Sequence, residues 1–110
     1  MKIKESIAST NPNLKQNPQW LSLQTEPDHL KAIETCHALL LQYPDSESKS
    51  DIYCKLGDIH YSSAKDIKGL ETAATYFEHA TAYDPNDWRS FYSQIRVRED
   101  IERREREGLE

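Results

Sequence analysis

The sequence predicts an all-α protein made of antiparallel helical hairpins, and two observations support this prediction. Between Pro18 and Ile95 the apolar residues recur at steps of three and four, and no alternation of apolar and polar residues is sustained over four positions. Glycine is rare, with three in 110 residues, and the five prolines stand at the edges of the periodic segments. We therefore expect five helices and no strand, joined by short connections in up-down order.

The first helix follows a polar N-terminal segment. Residues 1–13 are expected to be loose, although Ile3 and Ile7 lie four apart and could dock as one turn. Asn17 is the predicted N-cap and Pro18 the first helical residue, because Asn accepts bonds from free amides of the first turn and Pro lacks an amide that would stay unpaired. The short helix carries Trp20, Leu21 and Leu23.

The second helix is predicted from Asp28 to Tyr43, where one face is apolar. Pro44 ends it, because the residue before a proline avoids the helical conformation. Residues 45–50 (DSESKS) are expected to form a polar loop, with Ser48 and Asp51 as a capping box for the next helix. The apolar residues of the second helix are Leu30, Ile33, Cys36, Leu39, Leu40 and Tyr43.

The third and fourth helices form the clearest hairpin. The third is predicted to end at about Lys65, and residues 66–69 turn the chain into the fourth, which spans residues 70–83. Asp-Pro-Asn-Asp at 84–87 makes the next turn. The apolar residues of the hairpin are Ile52, Tyr53, Leu56, Ile59, His60 and Tyr61 on the third helix, and Leu70, Ala73, Ala74, Phe77, Ala80 and Tyr83 on the fourth.

The fifth helix starts near Asp87, and its two halves differ in composition. Trp88, Phe91 and Ile95 are expected to cover the preceding hairpin. Residues 98–110 are nearly all charged and should form a solvated helical extension of a domain that spans residues 14–97. Opposite charges four residues apart stabilise this extension, in the pairs Glu99–Arg103, Asp100–Arg104 and Glu102–Arg106.

Composition restricts the function. The net charge of −5 disfavours a nucleic-acid surface, which needs clustered cations to neutralise phosphates. No apolar run approaches the roughly 20 residues of a membrane span, and the N-terminus lacks the apolar region of a signal peptide. Cys36 and Cys54 lie in semi-apolar helical segments and are expected to be free, buried thiols of a cytoplasmic protein.

The sequence pattern contains no arrangement typical of catalysis or metal binding. His29 and His37 are eight residues apart, which is too far for one metal ion, since the useful helical spacing is four. Cys54 has no histidine within reach on its own helical face, and glycine-rich phosphate loops are absent. We therefore expect a non-enzymatic protein without a metal or cofactor.

The central hairpin resembles a unit of the tetratricopeptide repeat (TPR) family, in which two antiparallel helices, A and B, recur. The family's helix A carries an aromatic residue, then Leu-Gly, then an aromatic residue, and its helix B carries Ala, an aromatic residue, Ala and then Asp-Pro-Asn. The matching residues are Tyr53, Leu56, Gly57, His60 and Tyr61 for helix A, and Ala73, Phe77, Ala80, Asp84, Pro85 and Asn86 for helix B.

The resemblance extends from Pro18 to about Ile95 and implies about two repeats and a C-terminal capping helix, stacked as a short right-handed superhelix. The spacing departs from the family, because Pro44 and Pro85 are 41 residues apart whereas the family period is about 34. Small residues are expected to let neighbouring helices nest, at Gly57, Ala73 and Ala80.

The resemblance also implies a concave groove lined by the A helices, where such proteins bind a peptide or a partner helix. Members that hold chaperone tails clamp a terminal carboxylate with Lys and Asn. Among the corresponding residues here only Arg89 is basic, which argues against such a ligand. The predicted groove residues are Cys54, Lys55, Asp58, Tyr61, Arg89, Tyr92 and Arg96.

The predicted function is that of a non-catalytic protein–protein interaction module, an adaptor or subunit that binds a protein segment in this groove. Two alternatives stay open: an RNA-processing scaffold of the half-a-TPR type, which residues 76–92 also resemble, and a dedicated secretion or assembly chaperone. The N-terminal end lacks a polar cap helix, so we expect it to contact the N-terminal segment, a second copy or another protein. Its apolar residues are Trp20, Leu21 and Leu23.

Overall fold

The structure is a computed structural model and describes residues 13–108. These residues are helical and contain no strand, which confirms the predicted all-α class. The proposed contacts of Ile3 and Ile7 lie outside the described residues. After a 3-10 turn at Leu14–Gln16, the helices are α1 Pro18–Leu23, α2 His29–Gln42, α3 Ser46–Ser63, α4 Ile67–Tyr83 and α5 Trp88–Glu107.

Each of these α-helices begins after an Asn or Asp whose side chain accepts amide hydrogens of the first turn. Such caps satisfy donors that have no partner within a helix and stabilise by about 1 kcal/mol each. The predicted cap at Asn17, with Pro18 as the first residue of α1, is confirmed. The five capping residues are Asn17, Asp28, Asp45, Asp66 and Asp87.

The expected loop at residues 45–50 is wrong, because α3 already begins at Ser46. The Asp45 carboxylate accepts the Ser48 amide at 3.0 Å, so Asp45 is the N-cap and Ser48 lies inside the helix. Ser50 is fully buried and donates its hydroxyl hydrogen to the Ala80 carbonyl at 2.9 Å. Two of the three serines of this polar segment, Ser48 and Ser50, are therefore buried.

The fourth helix also begins earlier than predicted, at Ile67 instead of Leu70, because Asp66 caps it by accepting the Gly69 amide at 2.8 Å. On α2 the predicted apolar face is buried only in part. Cys36 and Leu39 are fully buried, whereas Leu30 is 74% exposed.

Each helix packs mainly against the next helix in the chain. Ser50 near the start of α3 bonds to Ala80 near the end of α4, and Gly57 in the middle of α3 faces Phe77 of α4, so these two helices are antiparallel. Gly57, Ala73 and Ala80 are buried, which confirms that small residues lie between neighbouring helices.

Helix α5 turns back along α4, so it runs parallel to α3. Near the turn, the Ser90 hydroxyl lies 3.0 Å from the Thr81 hydroxyl. Two side-chain pairs join α3 to α5 at nearly the same sequence offset, 38 and 39 residues: Asp51–Arg89 and Tyr61–Asp100. The constant offset shows that α3 and α5 are in the same orientation on one side of α4.

The core consists of two clusters. The first joins the 3-10 turn and α1 to α2 and α3, and its fully buried side chains include Cys36, Leu39, Ile52 and Leu56. The second joins α4 to α5 around Phe77. Its buried members are Leu70, Ala73, Ala74, Phe77 and Val97.

The expected covering of α4 by Trp88, Phe91 and Ile95 is wrong, because these side chains are 70%, 54% and 41% exposed. The face of α5 that contacts α4 carries Ser90 and Val97, which are both fully buried. These smaller side chains allow close approach, and the Ser90 hydroxyl is paired with that of Thr81.

The charged half of α5 is only partly in solvent. The helix passes residues 97 and 98 without a break, and Ile101 packs against the α4–α5 cluster. Arg103 pairs with Asp100 at 3.5 Å and with Glu107 at 3.3 Å. The predicted pairs do not form: Glu99–Arg103, Asp100–Arg104 and Glu102–Arg106. No helix within residues 13–108 is long and apolar enough to cross a membrane.

Candidate binding groove

Alternate helices line one side of the molecule. A hollow of about 140 Å³ lies between α1, α3 and α5, and no residue of α2 or α4 contributes to its wall. A second hollow of about 250 Å³ shares Gln24, Lys55 and Asp58 with it and continues toward Ser62, and His29 and Ala32 of α2 also contribute to its wall. We name the two hollows together the groove. The first hollow is lined by Lys15, Trp20, Gln24, Asp51, Cys54, Lys55, Asp58 and Arg89.

One carboxylate links three segments at the groove. Asp51 of α3 lies 3.7 Å from the Lys15 ammonium and 3.2 Å from the Arg89 guanidinium. Arg89 also contacts its neighbour Asp87 through two bonds, of 3.0 and 2.6 Å. The bond from Arg89 lowers the pKa of Asp87, and the same bond raises the pKa of Arg89. The Arg89 charge is therefore neutralised by carboxylates of the protein, and the contact of Arg89 with Asp51 positions α5 against α3.

Lys55 differs from Arg89, because residues 13–108 provide no salt-bridge partner for it. Burial raises the pKa of the nearby Asp58 carboxyl, while Lys55 and Arg89 act in the opposite direction. Asp58 still remains open to solvent on one side. Beside these charges, the half-buried Trp20 provides an apolar wall. The groove thus offers an aromatic surface and an ammonium group to a ligand.

The two thiols are free, as predicted. Cys36 is buried in the core, whereas Cys54 is half-buried and lines the groove. Burial raises the pKa of both thiols to about 12. Because the thiolate is the reactive form of cysteine, neither residue provides a nucleophile near neutral pH.

The structure separates the predicted groove residues into three groups. Cys54, Lys55, Asp58 and Arg89 lie together in the hollow. Tyr61 lies farther along α3 and donates its hydroxyl hydrogen to Asp100, and burial together with this bond raises its pKa. The exposed Arg96 is close enough to Tyr61 to oppose that increase.

Tyr92 lies apart from the other predicted residues. It is 55% exposed and contacts Trp88 edge to face, with the ring centroids 6.3 Å apart, and it is absent from the walls of the groove hollows.

Lys15, Trp20 and Gln24 line the groove but are absent from the residues predicted for it. A signal for two of them exists in the sequence. Trp20 stands 34 residues before Cys54, and Gln24 stands 34 residues before Asp58, and this separation equals the period of about 34 residues that tetratricopeptide repeats have. Counting back 34 residues from the groove positions predicted on α3 would have identified Trp20 and Gln24 as groove residues.

The described residues contain no group of three or more His, Cys, Asp or Glu side chains arranged to hold a metal ion. Comparison of the chain with known protein families, with curated proteins and with solved structures finds no match.

Proposed function

We propose that the chain is a helical-hairpin repeat module of the TPR type that binds a segment of a partner protein in the groove. The shared orientation of α3 and α5, and the contact of the 3-10 turn before α1 with α3, support this proposal. Lys15, Asp51 and Arg89 meet in space at sequence offsets of 36 and 38 residues. Stacked two-helix repeats of similar length bring equivalent residues together in this way.

The observation that carries the proposal is that Trp20 and Lys55 line the same hollow, which lies between the alternate helices α1, α3 and α5. Aromatic side chains supply much of the binding energy at protein interfaces. Lys55, without a salt-bridge partner among the described residues, is free to contact a carboxylate. The ligand that fits is a peptide segment with an apolar side chain for Trp20 and an acidic side chain for Lys55.

A non-catalytic, cytoplasmic role is part of the proposal. The raised pKa values of Cys36 and Cys54 leave the groove without a reactive thiolate. Free thiols are usual in the reducing environment of the cytoplasm.

RNA binding is the weaker alternative. Arg89 and Lys15, two cations at the groove, already contact carboxylates. Phosphate binding requires cations that are free to release counterions. No feature of the groove specifically favours the chaperone alternative.

The test uses Trp20 as a reporter. The chain has two tryptophans, so in a Trp88→Phe variant Trp20 is the only one. Peptides selected on the immobilised chain from a random 12-residue library are titrated into this variant, and Trp20 emission is recorded. We expect a saturable shift in emission, and at least tenfold weaker binding of acidic peptides when Lys55→Glu is added.

The control is Lys68→Glu, which makes the same charge change at an exposed position of α4, outside the groove. It should leave binding unchanged. The proposal fails if no selected peptide gives a saturable Trp20 response, or if the Lys55→Glu and Lys68→Glu proteins bind alike.

A further inference from the structure

Helix α5 has a second apolar face that nothing in the described chain covers. Trp88, Phe91, Tyr92 and Ile95 are between 41% and 70% exposed. Trp88 and the fully buried Val97 are nine residues apart, which is two and a half helical turns, so they point in opposite directions. We name these four exposed residues the outer face of α5.

The outer face is continuous. Its residues are spaced three and four apart, so they form one stripe along the first two turns of the helix. Trp88 and Tyr92 contact each other edge to face. Contiguous exposed apolar patches of several hundred Å² are unusual on monomers and mark interaction sites.

We propose that the outer face of α5 is a homodimer interface, in which a second copy of the chain docks its own outer face in antiparallel orientation. This proposal is independent of the groove function. The contact is self-complementary when the two-fold axis passes between Phe91 and Tyr92. Trp88 then lies opposite Ile95 of the other copy, a large side chain against a smaller one, and Phe91 lies opposite Tyr92 of the other copy, next to the axis. Self-complementarity is the requirement of a two-fold interface.

The area fits a weak dimer. A covered aromatic side chain buries about 150–250 Å², so the exposed parts of the outer face amount to roughly 500 Å² per copy. Two copies would bury about 1,000 Å², the lower limit for a specific interface.

The charges allow the same arrangement. Two guanidinium groups flank the outer face. Arg89 is neutralised by Asp87 and Asp51. Arg96 is exposed and has no salt bridge within residues 13–108, and the proposed axis places it opposite Asp87 of the other copy, so like charges do not meet there. The outward residues of the second half of α5, such as Glu99 and Glu102, are exposed charges, so the apolar contact is confined to the first half.

The first test is the mass of the full chain in solution. Sedimentation equilibrium from about 1 to 300 μM is expected to show a reversible change from 12.8 kDa to twice that mass. Phe91→Glu should weaken the dimer at least tenfold. Leu41→Glu is the matched control, because Leu41 is 89% exposed on α2, away from α5. The Leu41→Glu protein should dimerise like the unmodified chain.

The second test is cross-linking, which detects even a weakened contact because the disulfide traps the associated pair. Tyr92→Cys in a Cys54→Ser background should form a disulfide-linked dimer on mild oxidation, and Leu41→Cys in the same background should not. A chain that stays monomeric at all concentrations, a Phe91→Glu protein that dimerises normally, or equal cross-linking at positions 92 and 41 would each overturn the proposal. If the chain stays monomeric but Phe91→Glu abolishes the binding of another protein, the outer face binds a different chain and the homodimer proposal is wrong.

Discussion

The backbone of Gly57 on α3 lies against the ring of Phe77 on α4. A methyl group at position 57 would lie 2.6 Å from Cε1 of the ring, closer than real carbon contacts. The Phe77 ring is fully buried, so it has no solvent to move into. Glycine is therefore required at this position because it permits the helix contact, although glycine itself weakens a helix.

Gly57→Ala should destabilise the protein. Overpacking a core costs about 1–3 kcal/mol, and Ala recovers about 1 kcal/mol of helix propensity. Because the ring is enclosed, we expect a net loss of about 1–2 kcal/mol in the free energy of unfolding, measured by urea denaturation. In a Phe77→Leu background the added methyl meets a smaller side chain, so the loss should shrink. A Gly57→Ala protein as stable as the original would contradict the close contact.

Ser50→Ala should remove the hydrogen bond that joins α3 to α4. The Ala80 carbonyl keeps its bond from the Asp84 amide at 3.1 Å, so it is not left unsatisfied. We therefore expect a loss of about 1 kcal/mol in the free energy of unfolding. The matched control is Ser62→Ala, where an exposed hydroxyl bonds within its own helix and the change should stay within about 0.5 kcal/mol. Equal effects at the two positions would show that the buried bond contributes nothing.

Tyr61→Phe should loosen the second half of α5. The hydroxyl of Tyr61 donates to the Asp100 carboxylate and holds this charged stretch against α3. Without it, amide hydrogen exchange in residues 98–107 should become faster while the amides of α4 exchange as before. Tyr92→Phe is the control, because Tyr92 is exposed on the outer face and its ring contacts Trp88 of the same helix instead of α3. Unchanged exchange in residues 98–107 would mean that Val97 and Ile101 alone hold the helix.

We expect His60 to make the free energy of unfolding depend on pH. It stacks on Tyr76, with the ring centroids 5.0 Å apart, and its buried Nε2 has no hydrogen-bond partner among residues 13–108. Burial lowers the pKa of His60, and the proximity of His37 lowers it further. The folded state therefore favours neutral histidine, and the unfolded state binds a proton more readily. Stability is fully present above the ordinary histidine pKa of about 6.5 and is lost as the pH falls below it.

His60→Phe should reduce this dependence, because Phe keeps the contact with Tyr76 and cannot be protonated. The measurement is the difference in Tm between pH 7.5 and pH 5.5, which should be smaller in the variant than in the original chain. His29→Gln, at an exposed histidine, should leave the difference unchanged. If both variants lose as much stability on acidification as the original, another group is responsible.

The start of a helix could be predicted from the sequence where a capping residue directly precedes a segment with helical apolar spacing. Asn17 and Asp28 precede helices with buried apolar residues, and the structure uses both as caps. The start of α3 was hidden because DSESKS has no apolar residue. Its first turns are fixed by tertiary contacts, above all the bond from Ser50 to Ala80, and periodicity cannot show such a contact.

The orientation of α5 could not be predicted for a related reason. Both of its faces carry apolar residues, and the larger side chains, Trp88 and Phe91, lie on the exposed one. The choice depends on the surface of α4, where the Thr81 hydroxyl pairs with the fully buried Ser90. The groove residues on α3 were easier to predict, because neighbouring positions of one helix stay together in any packing.

The capping aspartates have a consequence for how this protein tolerates acid. The helices α2 to α5 all begin at Asp, and the Ser48 amide lowers the pKa of Asp45 as Arg89 does that of Asp87. Protonating Asp45 and Asp87 would weaken the first turns of α3 and α5 together, and the loss of the Asp87 charge would remove one of the two carboxylates that hold the Arg89 guanidinium. Part of the negative charge of the chain is thus structural, and a neutralised variant designed for higher solubility or altered binding would lose the starts of its own helices.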